Sequence, residues 1–164
     1  MKTEPEAYSF DDLLAQENHT DHWDGIRNYL ARNNMRSMRR GDLVLVYHSS
    51  TKPPHAVGVA EVVREAYPDH TAWDKKAKYF DPKSTPDNPR WDMVDIKAVS
   101  KLPSPVTLDA LKANSKLKNM EVVQKGRRPS VQPVRKNEFE LILQMHPHSK
   151  ILQAYEVLNL FYDR

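Results

Sequence analysis

The chain has 164 residues, 39% hydrophobic and 29% charged, with a formal net charge of +3 and no cysteine. That composition suits one soluble domain with a real core, and it excludes disulfides, thiolate metal sites and cysteine nucleophiles. No apolar run approaches the roughly 20 residues of a membrane span, and Met1-Lys2-Thr3-Glu4-Pro5 opens no apolar leader, so an intracellular protein of cytoplasm or nucleus, without membrane contact, is expected.

In chain order, a short first strand stops at Pro5. Ser9 followed by Asp12 is a capping-box start for a helix over Phe10–Gln16, with Phe10, Leu13 and Leu14 on its buried face. Asn18 to Asp24 is polar and reads as a loop, and Gly25 to Tyr29 as extended chain. A helix over Ala31–Met38 turns Met35 and Met38 inward and its arginines outward. Arg39-Arg40-Gly41-Asp42 is a turn into the strand Leu43–His48, whose near-continuous apolar run predicts burial on both faces. A strand over Ala56–Arg64 pairs with it as an antiparallel hairpin.

Pro68 to Arg90 is long, irregular and broken by prolines. A loop of that length in a compact domain is usually functional or disordered, and its adjacent Tyr79 and Phe80 must pack onto something. Trp91 opens a strand running to Val99. Thr107 caps a helix over Leu108–Ala113, Ser130 to Val134 is a short strand, and Lys136–Met145 a helix ended by Pro147. A final amphipathic helix begins at Ser149 with Ile151, Leu152, Tyr155, Leu158 and Tyr162 at helical spacing. These elements divide the chain into a domain over 1–146 and a helical extension over 147–164, with strands enclosing a few helices as an open or closed barrel.

The residues point to binding more than to catalysis. None of the four glycines, Gly25, Gly41, Gly58 and Gly126, lies in a phosphate-cradling loop, and no Gly-x-Ser-x-Gly elbow occurs. His48-Ser49-Ser50 brings an imidazole near hydroxyls, but neighbours on a strand face opposite ways. His19 with His22, and His146 with His148, lack a third ligand at metal-site spacing, so no metal and no cofactor is expected. Trp23 and Trp91, by contrast, sit among polar neighbours. A tryptophan without surrounding apolar periodicity calls for a reason, such as a platform for a planar ligand. The mild basic bias, with a pI of about 9.0, gathers in three islands: Arg27 to Arg40, Lys75 to Lys78, and Lys125 with Arg127 and Arg128. Arg32, Arg36, Arg39, Lys125, Arg127 and Arg128 are the candidate phosphate contacts.

Four motifs agree in order and spacing with a known family: Lys2-Thr3-Glu4-Pro5, Trp23-Asp24-Gly25-Ile26-Arg27-Asn28-Tyr29, Tyr47-His48-Ser49 and Ala66-Tyr67-Pro68-Asp69-His70-Thr71. The chain resembles the EVE domain family, of the PUA-like superfamily, over about Lys2 to Leu143. The resemblance implies an α+β fold, a PUA-like mixed β-barrel with flanking helices. It also implies a pocket for a single modified base, with cytosine substituted at carbon 5, in DNA or RNA, as the expected ligand. The matching pocket positions are Thr3, Glu4, Trp23, Ile26, Arg27, Asn28, Tyr47, His48, Ser49, Trp91, Ser130 and Gln132.

The physics of such a reader is coherent. Flipping a base from a duplex costs a few kcal/mol, stacking on an aromatic returns roughly 1–3 kcal/mol, and a buried methyl adds about 0.8 kcal/mol. The expected function is therefore non-enzymatic recognition of a modified base in nucleic acid. The alternatives are an enzyme acting on a modified nucleotide, and an adaptor using its C-terminal helix to hold a protein partner or a second copy.

Overall fold

The computed structural model describes the backbone of residues 1–162 and the side chains of residues 1–156. Five strands form one mixed sheet: β1 (Lys2–Thr3), β2 (Thr20–Trp23), β3 (Leu43–His48), β4 (His55–Pro68) and β5 (Asp92–Thr107), in the order β1-β3-β4-β5-β2. β1 runs parallel to β3, and every other pairing is antiparallel. Five α-helices among the described residues accompany it: α1 (Phe10–Ala15), α2 (Tyr29–Ser37), α3 (Leu108–Ala113), α4 (Lys136–Gln144) and α5 (Lys150–Tyr162).

The α+β class stands; of the open or closed barrel expected, the structure shows a five-stranded sheet that does not close. β1 and β2 are the two edges, and among the described residues no ladder joins them. Both edges nonetheless line one cavity, so the sheet brings its unpaired rims to face each other across a gap. A two-residue β1 and a four-residue β2 are too short to complete the circuit of hydrogen bonds that closure needs.

Strand β3 divides two cores. Val44 and Val46 join Ala60, Val62, Val94 and Ile96 beneath α1 and α2, where Phe10, Leu13, Ala31 and Met35 are buried. Leu45 and Tyr47 join Val59 and Val106 beneath Leu111 of α3, Ile142 and Leu143 of α4, and Ile151 and Leu152 of α5. Period-two alternation thus feeds one apolar layer per face, as the continuous run predicts. Close packing explains Gly58 on β4: a Cβ there would stand 2.5 Å from Cζ of Phe10.

Several boundaries follow their local chemistry. Ser9 caps α1 through the reciprocal capping box with Asp12, and Thr107 caps α3. β4 and β5 outrun their expected lengths because bulges absorb the irregular residues. Lys101 pairs with Gly58 and Val106 with Ala56, leaving Pro103 and Pro105 in the extra length between. The expected strand over Ser130–Val134 is absent: Pro129 and Pro133 have no N–H to offer, and the segment contributes single acceptors, Ser130 to Lys2 N–H and Val131 to the Asn34 amide. The stretch read as a polar loop contains β2, an edge strand in which only Trp23 is buried. Beyond Pro147, Ile151 and Leu152 bury against α4, and Tyr155 packs 5.5 Å from the Phe139 ring. Leu158 and Tyr162 lie outside the described side chains.

Candidate functional site

The gap between the sheet edges opens a cavity of about 830 Å³, within the roughly 300–1,000 Å³ of small-molecule sites. One rim is Lys2, Thr3 and Glu4, backed by Ser49 at the end of β3, whose N–H donates to Thr3 O at 2.8 Å. The other is Asp21, His22 and Trp23, continuing into Asp24, Gly25 and Ile26. Tyr8 joins from the segment before α1, Lys78 and Tyr79 from the long loop, and Arg127, Arg128 and Ser130 from the loop before α4.

Trp23 is fixed before any ligand arrives. It belongs to the core beneath α1 and α2, is 8% exposed, and meets Tyr8 edge-on at 6.1 Å. The Tyr8 hydroxyl donates to Asp21 at 2.6 Å; burial, then that carboxylate, pushes the phenol pKa up, so it remains a donor. Burial pushes the Lys2 ammonium pKa down, opposed by Glu121.

The signature turn is held by a buried ionic knot. Gly25 adopts φ +75°, and its N–H donates to Asp69 at 3.0 Å. The same carboxylate, fully buried, accepts from Arg27 Nη1 at 2.7 Å and from the Thr71 N–H and hydroxyl at 2.9 and 2.6 Å. Burial alone would raise the Asp69 pKa, but the bonds from Thr71, Arg27 and Gly25 outweigh it and hold it below the ordinary value. Arg27 Nε donates onward to the Tyr79 carbonyl at 2.6 Å. The Tyr79 ring lies over the bare Gly25 backbone, where a Cβ would stand 2.7 Å from Cδ2. Glycine is therefore required twice, by the left-handed backbone and by the ring above it.

Of the expected pocket residues, Thr3, Glu4, Trp23, Ile26, Ser49 and Ser130 line this cavity. Others are turned to different tasks. Asn28 is the N-cap of α2, accepting from Ala31 N–H at 3.0 Å. Arg27 forms the Asp69 knot. Tyr47 and Gln132 lie at a small apolar void on the other side of the sheet. His48 is buried, and its Nε2 accepts from Phe10 N–H at 3.1 Å. Trp91 is 5% exposed, stacked on Tyr29 at 4.9 Å, with its indole N–H donated to Asp81 at 2.7 Å.

The expected phosphate contacts divide in the same way. Arg32 donates to the Arg90 carbonyl at 2.8 Å and lies 4.8 Å over the Tyr29 ring, Arg36 pairs with Asp92, and Arg39 lies 3.9 Å from Glu65. Arg127 and Arg128 are exposed at the cavity, whereas Lys125 is exposed but outside its lining. Reading the sequence missed Lys2, Tyr8, Asp21, His22 and Lys78 as lining residues, whereas Asp24 lies inside the signature run Trp23 to Asn28 and Tyr79 stood out as an aromatic in a loop. The signal for Tyr79 was its aromatic pair with Phe80 inside a polar loop; nothing local marked Asp21 or Lys2.

A family model described as the EVE domain matches residues 1–145. The chain belongs to the EVE domain family. It is 40% identical over 162 residues to human Thymocyte nuclear protein 1, covering 88% of this chain and 72% of that protein. Among solved EVE-like structures, a protein of Leishmania major shares 50% identity at a TM-score of 0.83, covering 88% of this chain and 90% of that one. The human THYN1 protein, crystallised in complex with 5-methylcytosine containing DNA, shares 38% identity at a TM-score of 0.85, covering 91% and 96%.

Proposed function

We propose that this EVE domain is a non-enzymatic reader of modified nucleic acid, inside the cell in cytoplasm or nucleus, holding one flipped 5-substituted cytosine of DNA or RNA between the edges of its PUA-like sheet. The observation that carries the reading is the cavity itself. It has room for a nucleoside, a rigid tryptophan in its wall, a tyrosine at its entrance, and polar groups from both sheet edges. A homologue with the same fold is known with 5-methylcytosine containing DNA. Trp23 and Tyr79 supply the aromatic surfaces, replacing the pairing of Trp23 with Trp91 expected from sequence. Lys2, Lys78, Arg127 and Arg128 supply positive charge where the strand enters.

Rigidity matters to this function. Trp23 is held by the core, and Tyr79 by Arg27 and Gly25. A preorganised wall avoids ordering costs on binding. The test is competition between oligonucleotides that differ only in cytosine, 5-methylcytosine or 5-hydroxymethylcytosine at one position. A preference for a 5-substituted base supports the reading. Equal affinity for all three overturns it.

A further inference from the structure

Thymine sets the specificity problem for such a cavity. It carries the same 5-methyl group as 5-methylcytosine and equivalent stacking faces. A pocket that measures only methyl and ring accepts both. The bases differ at ring positions 3 and 4: cytosine offers a 4-amino donor and an N3 acceptor, thymine a 4-oxo acceptor and an N3–H donor. A hydroxyl such as that of Ser130 rotates to suit either pattern, while the Thr3 hydroxyl donates to Tyr8 O at 2.7 Å and the Ser49 hydroxyl to Thr3 O at 3.3 Å. Discrimination needs a group that can only accept, placed against position 4.

Three carboxylates line the cavity: Glu4, Asp21 and Asp24. Asp21 is engaged at both oxygens, one accepting the Tyr8 hydroxyl at 2.6 Å and the other the His22 N–H at 2.8 Å. Glu4 is exposed and accepts from the Ser50 hydroxyl at 3.3 Å. Asp24 differs from both. It is half-buried, it stands between buried Trp23 and the Gly25 turn, and among the described residues its side chain has no hydrogen-bond or ion-pair partner. Its backbone is fixed on one side by the pairing of Trp23 with Val94 and on the other by the bond from Gly25 to Asp69.

Resting on the reading above, we propose that the Asp24 carboxylate accepts a hydrogen bond from the 4-amino group of the bound cytosine and thereby excludes thymine. An amino group donating to an ionised carboxylate makes a charge-assisted bond. Thymine in the same pose sets its O4 against a group with no proton to give, leaving both acceptors unpaired. The methyl contact then reports modification, and Asp24 reports the identity of the base.

Single-stranded oligonucleotides identical except for one central 5-methylcytosine, cytosine or thymine isolate the effect, because no base pair need open. The wild-type protein should favour 5-methylcytosine over thymine by about 10-fold or more. Asp24→Asn keeps the shape but presents either a carbonyl or an N–H₂ group, so that ratio should fall close to one while the 5-methylcytosine-to-cytosine ratio persists. Both are ratios within one preparation, so a smaller folded fraction does not alter them. An Asp24→Asn variant that retains the wild-type preference over thymine overturns this proposal alone, as does a wild type that favours 5-methylcytosine over cytosine but binds thymine equally well. A wild-type protein indifferent to cytosine methylation overturns the reader itself and this proposal with it.

Discussion

Trp23 and Trp91 are nearly equal in burial, at 8% and 5% exposed, and both sit among polar residues in sequence, yet their surroundings differ in kind. Around Trp91 the polar groups satisfy one another: Asp81 accepts its indole N–H and pairs with Arg90, while Tyr29 stacks on its ring and accepts from Arg90. Around Trp23 they open onto a cavity, and Asp24 next to it has no protein partner among the described residues. A tryptophan in polar sequence therefore marks either an internal polar network or a ligand wall. Which of the two it marks depends on where the neighbouring donors and acceptors point in space.

The largest effect that separates the two regions is on stability. Trp91→Ala should destabilise by about 3–5 kcal/mol in chemical denaturation, while the protein that remains folded keeps its preference among modified bases. Trp23→Ala should also lose stability, but its folded fraction should lose roughly 1–3 kcal/mol of affinity for a stacked base. Loss of the preference in the folded Trp91 variant would merge the two regions into one site.

Gly25→Ala tests the link between the signature turn and the cavity wall. A non-glycine residue at this left-handed position costs roughly 1–2 kcal/mol, and the new methyl drives the Tyr79 ring away. Thermal unfolding should show the first effect and weakened oligonucleotide binding the second. Unchanged binding would remove Tyr79 from the wall.

Charge gives a finer contrast. Replacing Arg127 and Arg128 by Gln should reduce the slope of log affinity against log salt by about 0.7–0.9 for each phosphate no longer neutralised. Arg32→Gln and Arg36→Gln should leave that slope unchanged, because those guanidiniums serve the Trp91 region. A reversed pattern would move the phosphate path onto α2.

The smallest effect concerns acid. The Asp69 pKa is held below its ordinary value, so its contribution to stability is complete above the ordinary carboxylate pKa of about 3.9 and is lost as pH falls through the depressed folded value. Urea midpoints below about pH 4 should therefore fall more steeply for wild type than for Asp69→Asn. Parallel curves would show that the knot joining Gly25, Arg27 and the long loop contributes no such linkage.

Legibility followed the range of the interactions. The Ser9–Asp12 box, the Thr107 cap and the two-faced burial of Leu43–His48 depend on neighbours within a few residues, and sequence pattern carries them. Strand β2 did not register because an edge strand facing a cavity keeps polar residues at three of four positions. Asn28 looked like a reader of base edges, yet its spacing to Ala31 is that of an N-cap, a local signal outweighed by the family motif. Tyr79 and Asp69 reach the Gly25 turn across more than forty residues of sequence, so the Tyr79-Phe80 pair marked a packed aromatic without naming its partner. The cavity was expected from resemblance; its actual lining depends on two sheet edges that no periodicity brings together.

The chain has three tryptophans, and hence three indole N–H resonances once assigned. Titrating ¹⁵N-labelled protein with a short single strand carrying one 5-methylcytosine tests the site directly. A base seated between the sheet edges shifts the Trp23 indole and leaves Trp91, stacked on Tyr29 and bonded to Asp81, in place. A shift at Trp91 with Trp23 unmoved, or binding that moves neither, would contradict a reader built on this cavity.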